Sequence, residues 1–151
     1  MNLLFVCTAN ICRSPMAEAI FNALAADAGV ESRARSAGVA ARDGAPAHPN
    51  AILALEELGI DAGGHRARRV SRNMLEESDL VLVMAPEHVE SLRALAAEHL
   101  HKVHVLPVYA DTLRERVPDP YGQAVPAYRA SVRQLSGCLE RIIESQHKQL
   151  T

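Results

Sequence analysis

The 151-residue sequence predicts an α/β fold of three layers, a four-stranded parallel sheet with helices on both faces. Three observations carry that reading. Short apolar runs alternate with longer segments whose apolar residues recur at helical spacing, the pattern of repeated strand–helix–strand units. One run, Leu80-Val81-Leu82-Val83-Met84, is apolar without a break, as a strand covered on both faces must be. The first run, Leu3 to Val6, feeds a short polar loop that opens into a helix. In such folds ligands sit beyond the carboxyl ends of the strands, so this loop is the first place to look for chemistry.

The elements follow in order. Ser14 and Pro15 stand where the N-cap and first residue of a helix are expected. Met16 to Ala28 then carries Met16, Ile20, Phe21 and Leu24 at helical spacing, and Gly29 stops it. Ser32 to Gly38 alternates and closes on Ser36-Ala37-Gly38, a second strand. Asp43 to Asn50 holds Gly44, Pro46 and Pro49 and reads as a loop. Asn50 to Leu58 is helical. Ser71 to Ser78 fits a short helix with Ser71 as its cap. The strand Leu80 to Met84 is followed by a helix over Pro86 to Leu100 and a fourth strand over Lys102 to Leu106. Ala110 to Val125 has no clear period and contains Pro118-Asp119-Pro120-Tyr121. Ala127 to Gln149 is a long terminal helix with Tyr128, Val132, Leu135, Leu139, Ile142 and Ile143 on one side. No repeat or boundary divides the chain, and residues 1–151 are expected to form one domain.

Composition narrows the function. The chain is 48% hydrophobic and 23% charged, an ordinary globular balance. A net charge of −2 gives no reason to expect nucleic acid as a partner. Three cysteines form an odd set without secretory context, so a disulfide framework is not expected. No apolar run approaches the roughly 18 residues that span a bilayer, and no signal peptide precedes the first strand, so a cytoplasmic protein without membrane insertion is expected. Seven histidines are scattered without metal-ligand spacing, and no glycine-rich nucleotide loop is present. No metal and no organic cofactor are implied.

The residues with chemistry cluster in Val6-Cys7-Thr8-Ala9-Asn10-Ile11-Cys12-Arg13-Ser14-Pro15. A loop closing onto a helix N-terminus offers unpaired N–H groups and the positive end of the helix dipole, which suit an anion of phosphate size. Arg13 adds a planar fork that can grip two anion oxygens. A cysteine ending a buried strand is ordinarily a small core residue. Here Arg13, the helix start and the loop amides surround Cys7, and each favours the thiolate. The spacing points to a thiolate nucleophile attacking phosphorus. The leaving oxygen of a phosphate ester needs a proton, and Asp119 is the candidate acid. Asp-Pro alone is a common turn pair, but prolines on both sides stiffen this one, and the ring of Tyr121 could line an aryl-sized pocket.

These residues resemble the low-molecular-weight protein tyrosine phosphatases. The resemblance rests on Cys7 through Ala19, on the late Asp119-Pro120-Tyr121, and on the Ser36-Ala37-Gly38, Gly64-His65-Arg66-Ala67-Arg68 and Leu80–Met84 segments. It implies a phosphocysteine on Cys7, with Arg13 as phosphate binder and Asp119 as acid, then base. Thr8, Ala9, Asn10, Ile11, Cys12, Ser14 and Tyr121 would then line the substrate site, with Ser36 and His65 supporting the loop. Asn10 would take a left-handed conformation and Ser14 would donate to the thiolate. Cys12 would form a reversible disulfide with Cys7. Cys138, among apolar neighbours, reads as structural.

The family commonly has glycine where this chain has Ala9; if that position needs positive φ, alanine would cost of order 1 kcal/mol. The wall opposite Tyr121 is expected around Ala40 to Asp43. The basic run from His65 to Arg72 reads as a solvated face that could attract an acidic, tyrosine-rich tail.

Three alternatives share or border on this reading. Arsenate reductases of the same fold need further cysteines near the third strand, and Leu80 to Leu95 holds none. Protein arginine phosphatases tend to place threonine where this chain has Ile11. A non-catalytic phosphotyrosine-binding module would lack Cys7 or Asp119. The single tyrosine of Asp119-Pro120-Tyr121-Gly122 resembles bacterial members paired with tyrosine autokinases of polysaccharide export. The expected partner is therefore a phosphotyrosine protein, with an autokinase tail as candidate, and the chain is expected to act as a monomer.

Overall fold

The computed structural model describes residues 1–149. Its elements run β1 (Asn2–Cys7), α1 (Arg13–Ala28), β2 (Arg33–Gly38), α2 (Pro49–Glu56), α3 (Arg72–Glu77), β3 (Leu80–Val83), α4 (Pro86–Ala96), β4 (Val103–Val105), α5 (Leu106–Tyr109) and α6 (Val125–Gln149). The four strands form one parallel sheet in the order β2-β1-β3-β4. The chain leaves β1 toward one edge and later returns to build β3 and β4 on the other side. That reversal opens a crevice at the carboxyl ends of β1 and β3, where Cys7 lies.

Alternation along β1 divides the core. Leu3, Phe5 and Cys7 face the layer of α1, α2 and α6, packing with Ile20, Phe21, Leu55, Leu135 and Leu139. Leu4 and Val6 face α3 and α4, packing with Leu75 and Leu92. Both faces of the sheet are thus covered, as the unbroken apolar run of β3 predicts. No helix among the described residues is long and apolar enough to cross a membrane.

Several boundaries differ from expectation. Helix α1 begins at Arg13, so Ser14 lies inside it, and the residue at its N-cap, Cys12, makes no capping hydrogen bond. The hydroxyl of Ser14 is committed to Cys7 and Asn10, which leaves the helix start uncapped. Helix α2 starts one residue early, because the His48 ring caps it by accepting from the Asn50 amide at 3.0 Å. Helix α4 ends at Ala96, and Ala97–Lys102 continues as a tighter 3₁₀ helix. Strand β4 stops at Val105 because Leu106-Pro107 opens α5, and proline has no N–H for a ladder. Ser71 caps α3 as expected, accepting from Met74 N at 3.3 Å.

Gly38 fixes how closely the first loop approaches β2. A Cβ there would lie 2.6 Å from the Thr8 carbonyl oxygen and 2.9 Å from Ala41 Cβ. Only glycine lets the loop after Cys7 pack directly on the end of its neighbouring strand.

Candidate active site

Cys7 is the last residue of β1, paired in register with Gly38. The chain then curls through residues 8–12 before α1 begins. Asn10 takes a left-handed conformation, φ 58°, which Asn tolerates better than most residues. Ala9 does not: the positive-φ residues other than glycine are Asn10 and Asp111. The strain anticipated at Ala9 is therefore absent, and alanine costs nothing there in backbone terms. The amides of Thr8, Ala9, Asn10, Ile11 and Cys12 donate to no acceptor among the described residues. Together with the uncapped start of α1, they form an array of unused donors of the kind that holds an anion.

The loop is braced from behind by buried polar side chains. The Asn10 side-chain amide donates to Ser14 Oγ at 2.8 Å and to Ser36 Oγ at 2.9 Å. Its oxygen accepts the Arg68 amide at 3.0 Å. His65 Nε2 donates to the Asn10 carbonyl at 2.8 Å. Ser36 passes its own hydrogen to Glu18 Oε1 at 2.6 Å. Ser14 Oγ, already an acceptor from Asn10, lies 2.9 Å from Cys7 Sγ with the Ala37 carbonyl a longer alternative at 3.4 Å. The Ser14 hydroxyl can give its hydrogen to the sulfur or to the Ala37 carbonyl. All four residues that the resemblance implies for this network are in it. Arg68 and Glu18 join them; both lie in segments that carry the resemblance, and neither is assigned a role there. The basic run is accordingly half structural: Arg68 Nε also donates to the Ser36 carbonyl at 3.1 Å, and Arg72 pairs with Glu98.

Arg13 and Asp119 arrive from opposite ends of the chain. Arg13 is nearly buried; its Nη1 donates to the Val117 carbonyl at 3.0 Å and its Nη2 lies 3.6 Å from Asp119 Oδ2. The Val117 amide is in turn held by the Met84 carbonyl at 2.8 Å, so the segment bearing Asp119 is pinned to the end of β3. The other oxygen of Asp119 accepts the Tyr121 amide at 3.1 Å. Cys7, Thr8, Ala9, Ile11, Cys12, Arg13, Asp119 and Tyr121 line one cavity of about 260 Å³. Residues 40–43 are not among them. The loop residues Thr8, Ala9, Ile11 and Cys12 form the lining in their place, and the Ala40 amide is bonded to the Thr8 carbonyl at 2.8 Å.

Three residues at this site are not candidates from sequence, although Tyr128 falls on the apolar side of the terminal helix. His48 stacks on Tyr128 with centroids 5.1 Å apart and meets Tyr121 edge-on at 5.9 Å. Tyr128 lies with its hydroxyl 3.4 Å from Cys12 Sγ. Burial pushes the Cys12 thiol up to about 11, so it is held as a thiol. The third is His88, 1% exposed in the first turn of α4. A lone histidine in the first turn of a helix carries no pattern of its own; only its position after Met84 could have suggested proximity to the loop.

Burial, then the nearby Arg13 charge, pushes the His88 imidazole down from its ordinary 6.5 to about 4. The unfolded chain therefore binds a proton near pH 6.5 that the folded chain refuses until about pH 4. Folding stability should accordingly be complete above that window and fall as the pH drops through it. Urea melts at a series of pH values should show this loss, and His88→Gln should flatten it. An unchanged slope would contradict the assignment.

Among the described residues no three His, Cys, Asp or Glu side chains lie close enough to hold a metal ion. Comparison with known proteins is consistent along the chain. Residues 2–151 match the family described as low molecular weight phosphotyrosine protein phosphatase. A protein-arginine-phosphatase of Bacillus subtilis is 34% identical over 98% of both chains. A low molecular weight protein-tyrosine-phosphatase of the same organism, YfkJ, is 41% identical over 80% of this chain and 81% of its own. The crystal structure of a low molecular weight protein tyrosine phosphatase from T. tengcongensis superposes with a TM-score of 0.92 at 42% identity, covering 96% of this chain and 99% of that one. The chain belongs to the low-molecular-weight phosphotyrosine protein phosphatase family, and it is a phosphatase.

Proposed function

We propose that this phosphatase hydrolyses phosphotyrosine through a phosphocysteine on Cys7. The observation that carries the reading is the single cavity in which Cys7, Arg13 and Asp119 meet Ile11 and Tyr121. The thiolate sulfur attacks phosphorus from the floor while the loop amides and the Arg13 fork bind the three non-bridging oxygens. The P–O bond to the aryl group breaks, and Asp119 gives its proton to the departing phenolate. Asp119 then takes a proton from water, which attacks the phosphocysteine. The S–P bond breaks, the thiolate returns, and inorganic phosphate leaves.

Binding phosphate between Arg13 and the amides would loosen the 3.6 Å contact of Arg13 with Asp119, freeing the carboxyl to face the leaving oxygen. The apolar walls of Ile11, Ala9 and the Tyr121 ring suit a planar aryl group.

Similarity to a protein-arginine-phosphatase over the whole chain supports a second reading, hydrolysis of phosphoarginine. A phosphoguanidinium would need a polar partner in the pocket wall, and the side chain at position 11 is an isoleucine. The test is steady-state hydrolysis of two peptides identical except for phosphotyrosine or phosphoarginine. A kcat/KM at least tenfold higher for phosphotyrosine, about 1.4 kcal/mol of discrimination, is expected; the reverse preference would establish the arginine reading.

For the partner we infer the tyrosine-rich tail of a tyrosine autokinase of polysaccharide export, on the resemblance of the Asp119-Pro120-Tyr121-Gly122 segment. A phosphorylated tail left intact while unrelated phosphopeptides are hydrolysed would exclude it.

A further inference from the structure

We propose that His88 is a positioning residue of the active-site loop, fixing Thr8, the residue directly after the nucleophile, from the far side of the sheet. The inference rests on the reading of the 8–14 loop as the phosphate site. It goes beyond that reading in assigning a role to a buried histidine and to the side-chain hydroxyl of Thr8, neither of which the chemistry above uses.

The geometry defines the bond. His88 Nδ1 is 3.1 Å from the Ala85 amide nitrogen, and an amide N–H can only donate. The neutral ring therefore carries its hydrogen on Nε2, which faces Thr8 Oγ1 at 3.0 Å. One imidazole thus closes the first turn of α4 and donates to the loop, with both nitrogens used. Thr8 is otherwise held through its carbonyl, which accepts the Ala40 amide at 2.8 Å. The two anchors come from opposite neighbours of β1: Ala40 follows β2, and His88 follows β3. Without the second, the Thr8 side chain would have no protein partner, and the peptide groups on either side of it could turn their N–H away from a bound phosphate.

The charge environment suits an anchor that stays neutral. Facing the ring are Arg13 from α1, Arg116 and Asp119 from the segment before α6, and Glu87 from α4 itself. A proton on the ring would use Nδ1 as a donor and break the bond from Ala85. It would also set a second cation beside Arg13.

The experiment compares His88→Ala, His88→Gln, Thr8→Val and the Thr8→Val/His88→Ala double variant. The readouts are inorganic phosphate as competitive inhibitor of p-nitrophenyl phosphate hydrolysis, and Tm. Losing one such hydrogen bond should weaken phosphate binding roughly fivefold to tenfold in His88→Ala and equally in Thr8→Val. The double variant should be no weaker than either single one, because both remove the same contact. His88→Gln, whose terminal N–H₂ can reach the same hydroxyl, should recover most of the loss. A histidine that only fills the core would lower Tm in His88→Ala while Thr8→Val kept wild-type phosphate affinity, and that result would overturn the proposal. So would losses that multiply in the double variant. If His88→Ala fails to fold, Thr8→Val and His88→Gln still decide between these outcomes. A wild-type protein that binds no phosphate would instead refute the site itself.

Discussion

Cys7→Ser should reduce turnover of every phosphate ester by roughly 10⁴-fold or more, the scale seen when a covalent nucleophile is removed. The loss is chemical and not structural. Serine is smaller by one row of the periodic table but keeps a hydrogen-bonding atom beside Ser14 Oγ, now 2.9 Å from the sulfur. A serine hydroxyl does not ionise near neutral pH, and the pocket holds no histidine to act as its base: His65 donates to the Asn10 carbonyl, and His88 is spent on Ala85 and Thr8. Phosphate binding depends on the loop amides and Arg13, so it should persist. Single-turnover assays alongside inorganic phosphate titrations separate the two. Turnover within tenfold of wild type would remove Cys7 from the mechanism.

Asp119→Ala should cost roughly 10²–10⁴ in kcat on phosphotyrosine, the usual reach of a general acid. The size should depend on the leaving group. Tyrosine leaves as a poor anion and needs the proton; p-nitrophenolate leaves readily and needs it less. The variant should thus lose far less on p-nitrophenyl phosphate, and equal losses on both substrates would exclude Asp119 as the acid. Its carboxylate now rests 3.6 Å from Arg13, so its removal should leave phosphate affinity equal or higher. The side chain is half exposed on a segment held by Val117 and Tyr121, so the fold should tolerate the change.

The periodicities that predict helices and strands are local, and they were legible. The apolar run of β3, the helical spacing behind Met16 and along α6, and the stop at Gly29 all follow from neighbours a few residues apart. The Cys7–Arg13 spacing was legible for the same reason, since one short loop can bend in few ways between a strand and a helix. Element ends were less legible, because their side chains are claimed by distant partners. Ser14 has the chemistry of a cap, but Cys7 and Asn10 take its hydroxyl, and the helix starts two residues earlier than expected. The His48 cap of α2 could not be anticipated, since histidine is not a preferred cap and its ring is fixed partly by stacking on Tyr128.

What the sequence alone determined was the layered fold, together with the candidates for nucleophile, anion clamp and acid. Each is written in residues close together in the chain or in a short motif. What only the tertiary structure decided was how these meet. Val117 bonded to Met84 and to Arg13 brings Asp119 across more than a hundred residues of chain to the loop. Gly38 permits the loop to lie on β2, and Thr8, Ala9, Ile11 and Cys12 line the pocket in place of residues 40–43. His88 reaches the loop only because β3 is the neighbour of β1. The physical reason is the range of the interactions. Hydrophobic periodicity and helix-terminal charge act over a few residues, whereas hydrogen bonds between elements depend on strand order and burial, which the whole chain sets at once.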